Sequence, residues 1–115
     1  MSYMLLIVEP AGQRQTRSLA EGHGLYQRML EYGERLRSEG LLVASNALRE
    51  SAVRVNVVNG RQKVTDGPFT EAKELVGGFY LLDCDNREQA LRIAAECPAV
   101  EWATVEVREV GTCYE

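Results

Sequence analysis

The stretch 66–74 reads Asp66-Gly67-Pro68-Phe69-Thr70-Glu71-Ala72-Lys73-Glu74, and Gly77-Gly78-Phe79-Tyr80 follows it closely. It lies between two apolar segments that have the composition of β-strands. Strands of a small domain are usually joined by only a few residues, so a plain connection does not need this many turn-forming and acidic residues. We therefore take this stretch as the part of the chain that is most specific to one kind of fold.

An alternating strand and a tight turn come before this stretch. Val53, Val55 and Val57 alternate with polar residues, which is typical of a strand with one buried face. The pair Asn59-Gly60 predicts a type I′ hairpin turn, because both central positions of that turn need a positive φ. Its return strand, 61–65, leads directly into residue 66. A buried strand is predicted at 78–82, so the hairpin is an insertion ahead of that strand.

The N-terminal part of the chain predicts a strand followed by a helix. The continuous apolar run 3–8 indicates a buried central strand. Apolar residues at helical spacing then predict a first helix at about 24–39, which Gly40 ends. Ser18 and Glu21 have the spacing of a capping box and indicate an alternative start near residue 19, which two glycines in the first turns disfavour.

The remaining elements repeat this alternation of strand and helix. The segment 41–44 opens a second strand. Asn86 and Gln89 have capping-box spacing ahead of an apolar helical face, and Pro98 ends that second helix. Residues 103–107 alternate between apolar and polar side chains and predict the last strand.

Together these elements predict an α+β fold in a single domain, 1–115. The order β-α-β, hairpin, β-α-β is that of the split β-α-β, ferredoxin-like arrangement. Both helices then lie on one face of an antiparallel sheet, and part of the apolar inventory is left on the other face. A second copy of the chain is the simplest cover for that face. We therefore predict a homodimer in which two sheets pack face to face around a central cavity.

Composition favours a globular protein without nucleic acid or membrane partners. The chain has 115 residues, of which 45% are hydrophobic and 26% charged, as is ordinary for one globular domain. Its formal net charge of −4 disfavours binding to nucleic acids or to anionic membranes, since both select a basic surface.

The cysteines and the termini predict a cytoplasmic protein. Cys84, Cys97 and Cys113 are odd in number and widely spaced, which favours reduced thiols over a disulfide framework or a zinc site. No basic stretch precedes the short apolar run at the N-terminus, and no apolar run has the length of a membrane span. No phosphate-binding loop or metal-spaced cluster occurs in the sequence, so we expect no cofactor and no metal.

The motif at 66–74 and the Gly77-Gly78-Phe79-Tyr80 segment resemble the DGPF family, a branch of the YCII-related superfamily. The usual motif of that family reads close to DGPFAETKE, and this chain departs from it at Thr70 and Ala72. The opening segment 3–7 and the closing segment 105–108 are similar to the family as well. The resemblance thus covers nearly the whole chain.

This resemblance implies a ferredoxin-like domain that pairs into a dimeric α/β barrel. It also implies a His-Asp pair in a cleft, and some relatives act on small chlorinated aromatic compounds. Other members are encoded with, or fused to, extracytoplasmic-function sigma factors, which implies a regulatory setting.

Asp66 is the candidate catalytic residue, and two roles are open for it. Its carboxylate can accept backbone N–H groups of its own turn, which is a structural role. Alternatively it lies in a cleft, where partial burial would favour general acid–base chemistry. The candidate ligand-binding residues are Gly67, Pro68, Phe69, Glu71, Lys73 and Tyr26. Gly77 and Gly78 either allow the close approach of a backbone or ligand or mark a β-bulge.

His23 is the only histidine and the second, weaker catalytic candidate. Counted back from the second strand, it lies about one helical turn earlier than the usual histidine of the superfamily. An exposed position at the start of the first helix is the alternative for this residue.

Two functions follow from these observations. The first is binding of a small molecule in a cavity near the motif, with proton-transfer chemistry of the isomerase or lyase kind. The alternative is a non-catalytic accessory or interaction domain, linked to sigma-factor regulation, in which the motif is structural.

Overall fold

The strand β1 (Ser2–Pro10) is the centre of the sheet in the computed structural model, which describes residues 1–69 and 71–114. Thr70, one of the two departures from the family motif, lies outside the described residues. The other elements, in chain order, are α1 (Leu19–Ser38), β2 (Leu42–Ala47), β3 (Val53–Val58), β4 (Arg61–Asp66), β5 (Glu74–Asp83), α2 (Arg87–Ala95) and β6 (Thr104–Glu109). Single 3₁₀ turns are formed by Arg14–Thr16 and Pro98–Glu101.

Four strands form the main sheet in the order β2-β5-β1-β6, and every pair of neighbours is antiparallel. Strands β3 and β4 pair with each other as a separate two-stranded hairpin. The prediction of a mixed α+β fold with two helices and antiparallel sheets is thereby confirmed.

The alternation of side chains along β1 decides which residues form the core. Tyr3, Leu5, Ile7 and Glu9 are buried on the face that the helices cover, because successive side chains of a strand point to opposite faces. Three of these four are apolar and join the core. Their main partners are Tyr32 and Leu36 of α1, Tyr80 and Leu82 of β5, and Ala90, Ile93 and Ala94 of α2.

Helix α1 begins at Leu19, so the predicted start at about residue 24 is wrong and the alternative start near 19 is correct. The Ser18 side chain accepts a hydrogen bond from the Glu21 backbone N–H, and the Glu21 carboxylate accepts one from the Ser18 N–H. This capping box pairs two otherwise unsatisfied donors, which outweighs the unfavourable helix propensity of the early glycines. The helix ends as predicted, with Gly40 in a left-handed conformation at φ 73°.

The hairpin turn also has the predicted backbone. Asn59 and Gly60 have φ angles of 52° and 77°, and both positive values are those that a type I′ turn requires. The two strands continue the pairing from Val58 and Arg61 back to Val53 and Asp66.

The sheet face opposite the helices is apolar along its centre. Met4 and Leu6 of β1 lie beside Leu81 and Phe79 of β5, and all four are only half-buried in the single chain. A face of this kind agrees with the expectation of a covering partner, and the homodimer stays a prediction.

The cysteines follow the expected pattern of free thiols. Cys84 and Cys97 are buried and Cys113 is exposed. Among the residues that the structure describes, no helix is both long enough and apolar enough to cross a membrane.

Tyr32 and Tyr80 are expected to limit stability at high pH. Burial raises the pKa of both phenols in the folded chain, while unfolding returns them to the ordinary value of about 10. Above about pH 10 the unfolded state therefore binds fewer protons than the folded state, and stability that is fully present at lower pH is lost as the pH rises. Tyr32→Phe should flatten this alkaline loss, as measured by urea unfolding at a series of pH values.

At neutral pH the same variant should lose about 1 kcal/mol, because the Tyr32 hydroxyl donates a hydrogen bond to the Ile93 carbonyl at 2.5 Å. Tyr114→Phe is the matched control, since Tyr114 is 85% exposed. It should change neither the unfolding free energy at neutral pH nor its loss at high pH. An alkaline loss in Tyr32→Phe as steep as in the unmodified protein would contradict this account.

Candidate functional site

A cavity of about 520 Å³ lies between α1 and the helix-covered face of the sheet. Its volume is in the range of ordinary small-molecule sites. The walls are mainly apolar and aromatic. They include Ile7, Tyr26, Met29, Leu30, Leu42, Tyr80 and Trp102.

One end of the cavity contains an ion pair between a buried carboxylate and a partly exposed guanidinium. Glu9 follows Ile7 on the buried face of β1, and its side chain is only 7% exposed. The chain then turns at Gly12, whose φ is 83°, so that Arg14 in the following 3₁₀ turn comes back over the sheet. The Arg14 Nε atom lies 2.6 Å from the Glu9 Oε1 atom. This pair is a polar feature within a mainly apolar cavity.

The pairing of the two side chains leaves one oxygen without a hydrogen bond. Although Nε of Arg14 is close, its N–H bond is not directed at Oε1 of Glu9, and this oxygen has no hydrogen-bond partner among the described residues. The Nη2 atom of Arg14 lies 3.4 Å from the Gly77 carbonyl oxygen, which is a weak contact. The carboxylate is therefore neutralised by a nearby charge but not fully hydrogen-bonded.

Gly77 makes room for this ion pair. A Cβ atom at residue 77 would lie 2.7 Å from the Glu9 Oε2 atom and 2.8 Å from the Arg14 Nη2 atom. The same residue forms a bulge in β5, because Ile7 pairs with Gly78 and Val8 pairs with Val76. The expected β-bulge is thus present, but the groups that approach Gly77 are side chains and neither a backbone nor a ligand. The close approach of a backbone occurs at Gly78, where an added Cβ atom would lie 3.0 Å from the Asn46 carbonyl oxygen.

Tyr80 forms part of the cavity floor and is held by a hydrogen bond. Its hydroxyl donates to the Met29 carbonyl of α1 at 2.8 Å. Burial raises the pKa of this phenol, so it stays protonated near neutral pH. Tyr80 therefore acts as a wall that ties α1 to the sheet.

Trp102 closes one side of the cavity and is fixed from both sides. Its carbonyl oxygen accepts a hydrogen bond from the Gln13 side chain at 2.7 Å, and the Arg28 guanidinium lies 5.4 Å from its ring centroid. Arg28 also forms a two-point contact with Glu101, and these hydrogen bonds hold the pKa of the Glu101 carboxyl below its usual value.

The cavity rim carries the two predicted residues of α1. His23 and Tyr26 line the cavity from the helix, and both are exposed, with Tyr26 at 54%. Arg17 and an ion pair of Glu34 with Arg37, 3.5 Å apart, lie on the same rim. The rim thus offers more positive than negative charge.

The residues of the motif itself lie elsewhere. Asp66 is exposed at the end of β4, and none of the other candidate residues of the motif lines the cavity. These others are Gly67, Pro68, Phe69, Glu71 and Lys73. Within one chain, the structure does not bring Asp66 into the cavity that His23 lines.

The contacts of the motif are made mainly with the hairpin. The Gly67 N–H donates to the Ala52 carbonyl at 2.9 Å, and a Cβ atom at residue 67 would lie 3.1 Å from that oxygen. Gly67 does not have a positive φ, so close packing is the reason for glycine here. Arg54 of β3 lies 3.6 Å from the ring centroid of Phe69 and 3.1 Å from the Glu71 carboxylate.

Sequence reasoning missed Glu9, Arg14 and Trp102. A signal for Glu9 was present, since it continues the alternation of Tyr3, Leu5 and Ile7 and is therefore a carboxylate on a buried face. No comparable signal exists for Arg14 or Trp102, because turns of the chain bring them to the cavity.

The fold and the cavity define a small α+β domain with a ligand-sized site between a helix and a sheet. The model of the YCII-related domain matches residues 1–112, and the chain belongs to the YCII-related family.

A curated relative and a solved structure are among the proteins similar to this chain. The uncharacterized protein R00369 of Rhizobium meliloti (strain 1021) is 43% identical over 53 residues, which are 46% of this chain and 37% of that protein. The solved structure is that of 5-chloro-2-hydroxyhydroquinone dehydrochlorinase (TftG) from Burkholderia phenoliruptrix AC1100 in complex with 2,5-dihydroxybenzoquinone. It matches with a TM-score of 0.56 and 13% identity over 96% of this chain and 94% of that chain, which is a likeness of fold.

Gly77→Ala is expected to destabilise the protein by about 1–3 kcal/mol, because the added methyl group overpacks the Glu9–Arg14 pair. Urea unfolding followed by circular dichroism measures the change. Gly24→Ala is the control, since a Cβ atom there meets nothing within 4 Å and alanine should stabilise helix α1 by about 0.5–1 kcal/mol. An unfolding free energy of Gly77→Ala equal to that of the unmodified protein would refute the proposed packing.

Proposed function

We propose that this protein binds a small, mainly apolar molecule in the cavity beneath α1 and catalyses proton transfer on it, as an isomerase or lyase does. One observation carries the proposal: a cavity of about 520 Å³ with mainly apolar walls contains a buried carboxylate that is paired with a guanidinium. A buried carboxylate beside a substrate-sized cavity is a typical group for acid–base chemistry.

The structural neighbour TftG supports this choice of reaction. That protein is described as a dehydrochlorinase, and its structure contains 2,5-dihydroxybenzoquinone. Loss of hydrogen chloride requires removal of a proton, and the bound molecule is a single ring of the size that the cavity of this chain accepts. The likeness between the two chains concerns the fold.

We further propose that the chain is a member of the DGPF branch and forms a ferredoxin-like domain in a dimeric α/β barrel. The strand order β2-β5-β1-β6 and the position of the hairpin insertion support this classification. The half-buried apolar residues on the open face of the sheet support the homodimer. We place the protein in the cytoplasm, without nucleic acid or membrane partners.

Asp66 fits the proposed chemistry only in an assembled homodimer. Within a single chain it lies on the hairpin, which pairs with no strand of the main sheet among residues 1–69 and 71–114. A partner copy would have to approach so that the end of its β4 meets the cavity of the first copy. In that arrangement Asp66 of one copy and His23 on the rim of the other can both contact a bound molecule.

The alternative is a non-catalytic accessory or interaction domain, linked to sigma-factor regulation. The contacts of the motif favour it, because Arg54 holds both Phe69 and Glu71 and Gly67 packs on the Ala52 carbonyl. In this alternative the motif stabilises the base of the hairpin and has no ligand.

Ligand binding is tested by thermal shift with 2,5-dihydroxybenzoquinone, benzoate and nitrobenzene as probes. At saturation a ligand that binds only the folded state adds on the order of 1–3 kcal/mol, which raises the melting temperature by several degrees. Ala47→Trp should abolish the rise, because Ala47 lines the cavity from the exposed end of β2. Ala20→Trp adds the same side chain at an exposed helix position outside the cavity and should keep it. A melting temperature that no probe raises in the unmodified protein would refute the binding function.

Asp66→Asn separates the catalytic from the structural role of the motif. If Asp66 contacts the ligand in a homodimer, the variant should keep its melting temperature and its dimeric mass in light scattering. It should also bind those probes that raise the melting temperature of the unmodified protein, but about ten-fold more weakly. This is the expected effect of losing a charged hydrogen bond. A monomeric mass of the unmodified protein, or unchanged binding in the variant, would remove Asp66 from the site. A lower melting temperature alone would support the structural role.

A further inference from the structure

Glu9 is a buried carboxylate whose Oε1 atom lacks a hydrogen bond. The side chain is 7% exposed and lines the cavity, and no described residue donates a hydrogen bond to this oxygen. Buried acceptors in proteins almost always have a partner, and an unpaired one costs about 1–3 kcal/mol. Oε1 itself has almost no accessible surface, so a ligand donor that enters through the cavity has to contact the carboxylate at its other oxygen, Oε2.

The charge of the ion pair limits what such a donor can be. Arg14 Nε lies 2.6 Å from Oε1, so the pair is neutral as a whole. A ligand carboxylate would be placed against the Glu9 carboxylate, and a ligand ammonium would be placed against the Arg14 guanidinium, so each meets a like charge. A neutral hydroxyl group meets neither repulsion. It can donate its hydrogen to Glu9 and accept a hydrogen bond from Arg14 through the same oxygen.

We propose that Glu9 and Arg14 form a subsite that recognises a neutral hydroxyl group of the ligand, with the Glu9 carboxylate as the acceptor. The apolar and aromatic walls then contact the remainder of the molecule, so the ligand class is a small ring compound that carries a hydroxyl group. This subsite rests on the proposed binding function, and it specifies which residues of the cavity contact the polar group of the ligand. Gly77 is part of the subsite, because any larger residue would displace both side chains.

The test compares para-nitrophenol with nitrobenzene, which has the same ring and nitro group but no hydroxyl. Titration calorimetry is done at a pH at which free para-nitrophenol is protonated. The unmodified protein should bind para-nitrophenol about ten-fold more tightly than nitrobenzene, as expected for a hydrogen bond to a charged acceptor. Glu9→Gln, which keeps the shape and removes the charge, should reduce this preference to about three-fold or less, with little change for nitrobenzene.

Glu96→Gln is the matched control, because Glu96 is also paired with an arginine, Arg35, but is exposed and does not line the cavity. It should keep the full preference. If Glu9→Gln does not fold, the affinities of the unmodified protein for para-nitrophenol and nitrobenzene still test the subsite. Equal affinity for both probes, or binding of neither, would overturn the subsite, and so would a preference that Glu96→Gln reduces as much as Glu9→Gln does. Nitrobenzene or benzoate binding without a hydroxyl preference would leave the proposed cavity function standing and reject the subsite alone.

Discussion

The alternation of side chains along β1 is the constraint on which the rest of the molecule depends. This strand pairs with β5 on one side and β6 on the other, so its register decides the position of every side chain in the sheet. Tyr3, Leu5 and Ile7 lie under the helices and form part of the core. Glu9 is the next residue on that face and is therefore buried as well. A shift of one residue would turn all four toward the open face.

Gly77 connects the family motif with the cavity. The motif leads into β5, and three residues after its last residue the bulge at Gly77 leaves space for the Glu9–Arg14 pair. The conspicuous acidic and turn-forming residues of the motif serve the hairpin, through Arg54 and the Ala52 carbonyl. Gly77, which follows the motif, instead leaves space for side chains that line the cavity. One continuous segment thus supports two separate structural tasks.

Local patterns predicted most of the fold, since alternation, capping spacing and turn residues act over a few residues. The Asn59-Gly60 turn and the end of α1 at Gly40 have the expected backbone. The start of α1 was misplaced because glycine propensity was weighed against a capping box that both partners in fact complete. The candidate site was predicted poorly. His23 and Tyr26 do line the cavity, but Asp66 does not, because the hairpin forms its own two-stranded sheet.

The sequence by itself determined the family, the α+β class and the order of strands and helices. It did so because periodicity and turn chemistry are properties of neighbouring residues. Only the tertiary structure decided where the cavity lies and which charges it contains. Glu9 and Arg14 come from the end of β1 and the 3₁₀ turn that follows it, whereas Trp102 comes directly after the 3₁₀ turn ahead of β6. These parts of the chain meet only after the sheet and α1 have packed together. Proximity of this kind depends on long-range packing, which no local pattern records.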